Sequence, residues 1–532
     1  MTAHAERSAT TRVDLAARAD PIDASATRAG LLYRILSRVR LTSYLLVGWC
    51  ALWACWIPAA SLWLPRCPYG ESWCDRAPVL SGARAVTSYA VVAVVGAVAL
   101  SVLWWWDRRQ AHSPAVPADD PAPRRVRPAM LTAGSVIGVL AAAHLMLFAP
   151  AATLPTECTA EVHLNSAMAY CLNIDSPEFL QLAHHPRQLL RPRAVRQARP
   201  GYIALSVAAT RLIGPAASRL GLDRLYGQTD NAYIPLVLFN IVTAVLSVLL
   251  LAWLLARLGT PTWATMAICA FLAVNDVMKA FIWTPHQDLF TMFVPLVTVV
   301  VAQWVIRAYP PRWRLALVGF GLGAYSLVYA SVVITVVVVG IVLAARGRRG
   351  LVPAAAFGAA FAAAPLAWIA ICRTVVGSYY NHEVTTYHEF IWPLMEARHG
   401  PRAVARYVEV VSIAATREFV SVAGLTLLLI VGFAAVAVRC RANLAPRSRD
   451  HRAILVASAL TVAVSIAFGW GIGYQANRMM FNVVPALLVC LGWLTARLSV
   501  RSPRLRIATG TALSVVAMVV IGVTVTAPGP WS

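Results

Sequence analysis

Apolar positions along this chain gather into long blocks instead of alternating with polar ones. Each block runs to roughly 20 residues, enough for a helix to cross the hydrocarbon core of a bilayer. They are read at Leu41–Leu64, Val86–Trp106, Ala129–Phe148, Tyr233–Leu255, Trp263–Trp283, Leu289–Ile306, Leu351–Ile371, Phe419–Val438, Ile454–Trp470, Phe481–Ala496 and Ala508–Ala527. One further stretch, Leu315–Ala345, spans 31 residues, too many for one upright helix and few for two. The connecting segments are polar, and the longest of them covers about 80 residues from Ala151 to Asn231.

Charge decides the ambiguous stretch. If Leu315–Ala345 crosses twice and the N-terminus is cytoplasmic, the inner segments hold 28 of the 46 Lys and Arg residues but only 8 of the 23 acids. A single crossing would flip every later loop and send 12 Arg outward. The positive-inside bias favours two short crossings. The expected fold is therefore an all-α, polytopic integral membrane protein with about 13 transmembrane helices and one long extracytoplasmic loop. Residues 1–40 form a cytoplasmic disordered tail, 41–150 the first three transmembrane helices, 151–231 the extracytoplasmic loop and 232–532 a ten-helix transmembrane bundle. The expected location is the cell membrane, multi-pass, with the C-terminus extracytoplasmic. The first helix is expected to remain as an uncleaved anchor.

Composition agrees: 59% of the residues are hydrophobic and 13% charged. The formal net charge of +23 is mostly a topology signal, since the inner segments account for +20 of it. Nucleic-acid binding would need basic residues gathered on a folded domain, so no nucleic-acid partner is expected. The aromatic residues Trp104–Trp106, Trp253, Trp283 and Trp470 fall at block ends, as an interfacial belt places them. Of the ten cysteines, four fall in outer segments as two close pairs. Cys67 with Cys74, and Cys158 with Cys171, are expected to close disulfides in an oxidising outer compartment.

Candidate chemistry concentrates in the long loop. Its middle reads NIDSPEFLQLAHHPRQLLRPRAVRQARPGYIAL, with Asp175 and Glu178, then His184 and His185, then Arg187, Arg191, Arg193, Arg196 and Arg199. Five arginines within 13 residues depart from the trend on a side where Arg is otherwise sparse. Guanidinium forks match phosphate oxygens, and a neighbouring carboxylate can take a proton from an acceptor hydroxyl. An amphipathic helix on anionic headgroups, with Asp175 as its cap, accounts for the same residues. Downstream, Asp276 and Lys279 stand three apart, able to pair, and His286, Gln287 and Asp288 follow. Asp288 opens the next helix as a cap and is also a candidate substrate contact. His382, Glu383, His388 and Glu389 are metal-capable types without an established ligand spacing, and Pro401–Glu418 reads as an interfacial amphipathic helix. The short turn GYQANRMMFNVVP offers one basic residue, Arg478, placed to reach a lipid phosphate. No cofactor of the soluble kind is expected; a divalent metal ion stays open.

The acidic stretch DSPEFLQLAHHP followed by RPGYIAL resembles the acidic-loop region of C-type-fold membrane glycosyltransferases. In both, an Asp precedes an aromatic residue, a Leu-Ala pair and a run leading to Arg-Pro. The resemblance implies transfer of a sugar from a polyprenyl-phosphate donor to a cell-envelope glycan or lipid acceptor on the outer face. It implies Asp175 as catalytic base, with Glu178, His184, His185, Arg187, Arg191, Arg193, Arg199, Asp288 and Arg478 around the substrate. Partners would be membrane lipids, the polyprenyl-phosphate-linked sugar and the envelope acceptor. Two features depart from the family: the acidic loop follows the third helix, not the first, and the second acid stands three residues from Asp175. Alternatives are a transporter or flippase of lipid-linked or small envelope precursors, and a glycan polymerase or ligase.

Overall fold

A computed structural model describes residues 161–165, 168–171, 175–219, 230–282, 284–446, 448–473 and 477–526, with isolated positions at 94, 97 and 101. Apart from those isolated positions, the expected cytoplasmic tail and first three spans lie outside these residues, as do Cys67, Cys74 and Cys158. So do the side chains of Cys171, Asp276, Lys279 and Arg478, so neither the expected disulfides nor the Asp276–Lys279 pairing falls within them.

The described part of the long loop opens with a short antiparallel hairpin, β1 (Glu161–Asn165) and β2 (Met168–Cys171), an addition to the helical expectation. Two helices follow within the loop, α1 (Ser176–His184) and α2 (Pro200–Arg219), joined by a 3-10 turn at Pro186–Leu190. The bundle begins with α3 (Tyr233–Arg257).

The expected span Trp263–Trp283 is interrupted. It forms α4 (Thr262–Ala273) and α5 (Asp276–Phe281) around an extended Val274–Asn275. Asn275 makes the break by satisfying both exposed ends. Its side chain accepts from the Met278 amide at 2.9 Å and donates to the Leu272 carbonyl at 2.6 Å. In α3 the buried Asn240 amide then donates to the Phe281 and Thr284 carbonyls, each at 2.7 Å. Backbone freed from a helix inside an apolar bundle needs such partners.

The span α6 (Phe290–Ala308) leads into the 31-residue stretch, which forms α7 (Arg312–Ser326) and α8 (Val333–Ala344) about a turn at Leu327–Val332. The chain goes out along one and returns along the other. Leu327 accepts from the Gly201 amide at 3.0 Å, whereas Arg346 comes back to the Val305 and Ile306 carbonyls at the end of α6. Next come α9 (Arg348–Val376), two single-turn helices α10 (His382–Tyr387) and α11 (Trp392–Ala397), and α12 (Pro401–Arg439). The separate interfacial helix expected at Pro401–Glu418 is instead continuous with the span, giving one rod of 39 residues. No helix breaker stands between Arg417, Glu418 and Phe419 to divide them. The chain ends with α13 (Arg449–Ile472), α14 (Asn477–Met480), α15 (Val484–Arg501) and α16 (Pro503–Thr526).

Among the described residues six helices are long and apolar enough to cross a membrane: α3, α6, α9, α12, α13 and α15 with its 3-10 lead-in. The last is the central post, 78% of its apolar window being buried, against 11% for α9 at the rim. The ends of the helices sort by charge. At one end Arg257, Arg307 and Asp450 form a three-way ion cluster, and Arg497 donates to the Ala445 carbonyl at 2.5 Å. The opposite end gathers the acids and arginines of the long loop with those of the α5–α6 and α9–α12 connections.

The helices α7 and α9 pack through glycine. A Cβ on Gly323 would run into the Phe361 carbonyl, while one on Gly321 would meet nothing within 4 Å. Small residues let helix backbones approach where no hydrophobic effect drives them together. Gly323→Val is therefore expected to lower the thermal unfolding midpoint in detergent, an overpacking effect of about 1–3 kcal/mol. Gly321→Ala should leave the midpoint in place. Equal midpoints for the two variants would remove this contact from the account.

Candidate functional site

The helix α1 buries Phe179, Leu180, Leu182 and Ala183 against α2, and this packing fixes Asp175 at its first turn. The expectation that Asp175 caps the helix is not what its side chain does. Its backbone is helical and the carboxylate makes no cap hydrogen bond. Instead Oδ1 meets Arg196 Nη2 at 2.5 Å, and Oδ2 lies 3.4 Å from His286 Nε2. One turn along, Glu178 Oε2 accepts from Arg196 Nε at 2.9 Å. The guanidinium is only 7% exposed and lies over the Phe179 ring, so a fork between two acids neutralises a charge shielded from water. Asp175 itself remains 27% exposed and thus reachable.

His286 is the hinge of the site. It is 2% exposed and held edge-on by Phe179, with Phe281 on another side. Its Nδ1 lies 3.3 Å from both the Asp288 amide and the Asp288 carboxylate. With Nδ1 accepting from the Asp288 amide, the ring carries its proton on Nε2, facing the Asp175 carboxylate. Asp288 is buried, and the helix it precedes is capped by its backbone carbonyl, which accepts from the Thr291 amide and hydroxyl.

A second charged group adjoins the first. Arg199 Nη2 meets Glu383 Oε1 at 2.6 Å, and the Gln287 side chain lies against the same guanidinium. Burial works against the charge on Arg199, but Glu383, Asp288, Tyr329 and Glu389 more than offset it and raise its pKa above the ordinary value. Burial, then Glu383, pushes Glu389 up to about 7 despite the opposing pull of Arg199. Burial and then Asp288 push the Tyr202 phenol up. Two buried polar atoms here, Tyr202 Oη and Glu383 Oε2, have no hydrogen-bond partner among the described residues. The wall behind them is tied by Gln197, whose side chain donates to the Leu189 carbonyl at 3.1 Å and accepts from the Tyr380 amide at 2.6 Å.

The arginine run thus divides. Arg196 and Arg199 turn toward the acids, and Arg193 is exposed with a left-handed backbone. Arg187 and Arg191 join His184, His185 and Arg211 around a separate cavity of about 390 Å³. Of the metal-capable types, His382 Nδ1 is engaged by Tyr380 and Thr386, and Glu383 by Arg199. Among the described residues no three His, Cys, Asp or Glu side chains converge as metal ligands. The chain alone gives no role to His286, Gln287 or Tyr202, and it offers Arg196 as a phosphate contact where the structure makes it the partner of two acids. The polar triplet His286–Gln287–Asp288 between two apolar blocks was the available signal.

The raised Glu389 has a consequence for stability. Its folded pKa lies above the unfolded value, so the folded state binds more protons between pH 4.5 and about 7. This group's contribution is therefore fully present below pH 4.5 and declines as pH rises toward 7. The unfolding midpoint in detergent should fall between pH 5 and pH 8, and fall less in Glu389→Gln; parallel profiles would count against this burial. No family model, curated protein or solved structure matches the chain.

Proposed function

We propose that this protein is a membrane glycosyltransferase working on the outer face of the cell membrane, with its N-terminus cytoplasmic and about 13 crossings in all. It moves a sugar from a polyprenyl-phosphate donor to an envelope glycan or lipid acceptor. The observation that carries this reading is the Asp175 carboxylate. It is turned away from its helix to a part-exposed position beside His286 and Arg196, at the end of the bundle where the long loop folds. There Asp175 takes the proton of the acceptor hydroxyl, and the His286 imidazole, anchored through Nδ1 to the Asp288 amide, holds that carboxylate in place. The displaced phosphate gains charge as the glycosidic bond breaks, and guanidinium groups stabilise it where it develops. Arg199 and Arg478 are assigned to that phosphate, while Arg196 keeps its hold on Asp175 and Glu178.

Loss of a general base costs about 10²–10⁴ in rate. Asp175→Asn should therefore nearly abolish incorporation of labelled sugar from a polyprenyl-phosphate donor into the envelope fraction, at unchanged membrane levels. Normal incorporation by that variant would sink the assignment. A polymerase or ligase of lipid-linked glycans would use the same groups and would show itself in product chain length.

A second reading has its own support. The interrupted α4–α5 pair, with Asn275 at the break, is the kind of discontinuous helix that forms binding sites in carriers. On that reading the protein carries lipid-linked or small envelope precursors without covalent chemistry. Movement of labelled precursor in vesicles that lack any acceptor would favour the carrier.

A further inference from the structure

The basic cavity stands apart from Asp175. The nine residues of α1 put about 13 Å between Asp175 at its start and His184 and His185 at its end. A phosphate bonded to a reacting sugar carbon lies within a few ångströms of that carbon, so one group cannot occupy both places. The cavity has its own character. Arg187, Arg191 and Arg211 line it with the two histidines, and among the described residues no carboxylate lines it. Asp230 takes up the lining residue His184 at 2.8 Å.

Its neighbour α2 buries only one of its faces. Tyr202, Ile203, Ser206, Ala209, Thr210, Gly214 and Ala217 face inward at helical spacing. The outward face carries Leu205, Leu212 and Ile213, with Leu212 81% exposed beside Arg211. Both stations of this helix rest on the same end of the bundle. Gly201 abuts the Leu327 turn, and Gly214 abuts Asn231 just before α3. The helix therefore lies across the mouth of the bundle, with an uncovered apolar face adjoining a pocket of three guanidiniums. Water alone satisfies the second feature but not the first.

We propose that this cavity binds the phosphate headgroup of an anionic phospholipid of the surrounding bilayer, whose acyl chain lies along Leu212 and Ile213. The guanidiniums take the phosphate oxygens and the exposed helix face takes the apolar tail, a division of labour that a free anion cannot use. Such a lipid would pin α1 and α2 to the membrane surface beside the Asp175 group.

The test uses the full-length protein in nanodiscs or detergent with no sugar donor present, so its outcome is independent of the transfer reading. Retention of phosphatidylglycerol is measured against phosphatidylcholine by native mass spectrometry. Wild type should retain phosphatidylglycerol selectively. The triple variant Arg187→Gln, Arg191→Gln, Arg211→Gln should bind it roughly a hundredfold more weakly. Leu212→Asn should weaken it as well. If the triple variant does not fold, Arg211→Gln alone should show the same sign with a loss of roughly fivefold. Undiminished selectivity in the folded variants would overturn the proposal. So would inorganic phosphate bound as tightly as the lipid with Leu212→Asn without effect, which would mark a free-anion site.

Discussion

A guanidinium largely shut off from water has to be neutralised where it stands, and in this protein that obligation falls on Arg196. Its two acids come from one turn of α1, and its face is covered by Phe179 from the same helix. Breaking one half of a buried pair leaves an uncompensated charge, which is far costlier than the pair was favourable. Asp175 is therefore bound to its position on both sides, by Arg196 and by His286. The loop, the α5–α6 turn and the acidic connection before α12 become one charged structure instead of three surface segments.

The same rule for neutral groups shapes the bundle. At two places where the chain leaves the helix, a buried or half-buried side chain receives the released backbone. Asn275 and Asn240 serve the α4–α5 break, and Gln197 serves the turn before α2. At the other end the Arg257–Asp450–Arg307 cluster and Arg346 do comparable work for helix termini. Irregular backbone is tolerated in an apolar bundle only on these terms.

The long apolar blocks were legible because a spanning helix announces itself by length alone. Tyr233–Leu255 and Leu289–Ile306 match their helices to within two residues at each end. The charge balance also separated α7 from α8, where hydropathy runs on unbroken. Asn275 was less legible, since a single Asn inside an apolar run reads as a tolerated polar residue until its two backbone partners are known. The helix α2 hid inside a loop because its outward Leu and Ile residues blur the polar face by which a surface helix is recognised. In the site, the proximity of Asp175 to Glu178 was visible in the chain. The partners were not: Arg199 and Glu383 lie 184 positions apart, His286 and Asp175 lie 111 apart, and no local pattern encodes which arginine meets which acid.

The continuous α12 has a mechanical meaning. Its 39 residues run to roughly 58 Å, nearly twice the thickness of a hydrocarbon core. Trp470, at the far end of α13, bonds Ser412, and Tyr407 stacks against Trp392, so the upper part of the rod is gripped by aromatic rings. A lean of a few degrees at its foot is magnified along that lever into a shift of some 2 Å at the tip. Because Trp392 of α11 packs among those rings, such a shift reaches the connection that carries Glu383 and Glu389.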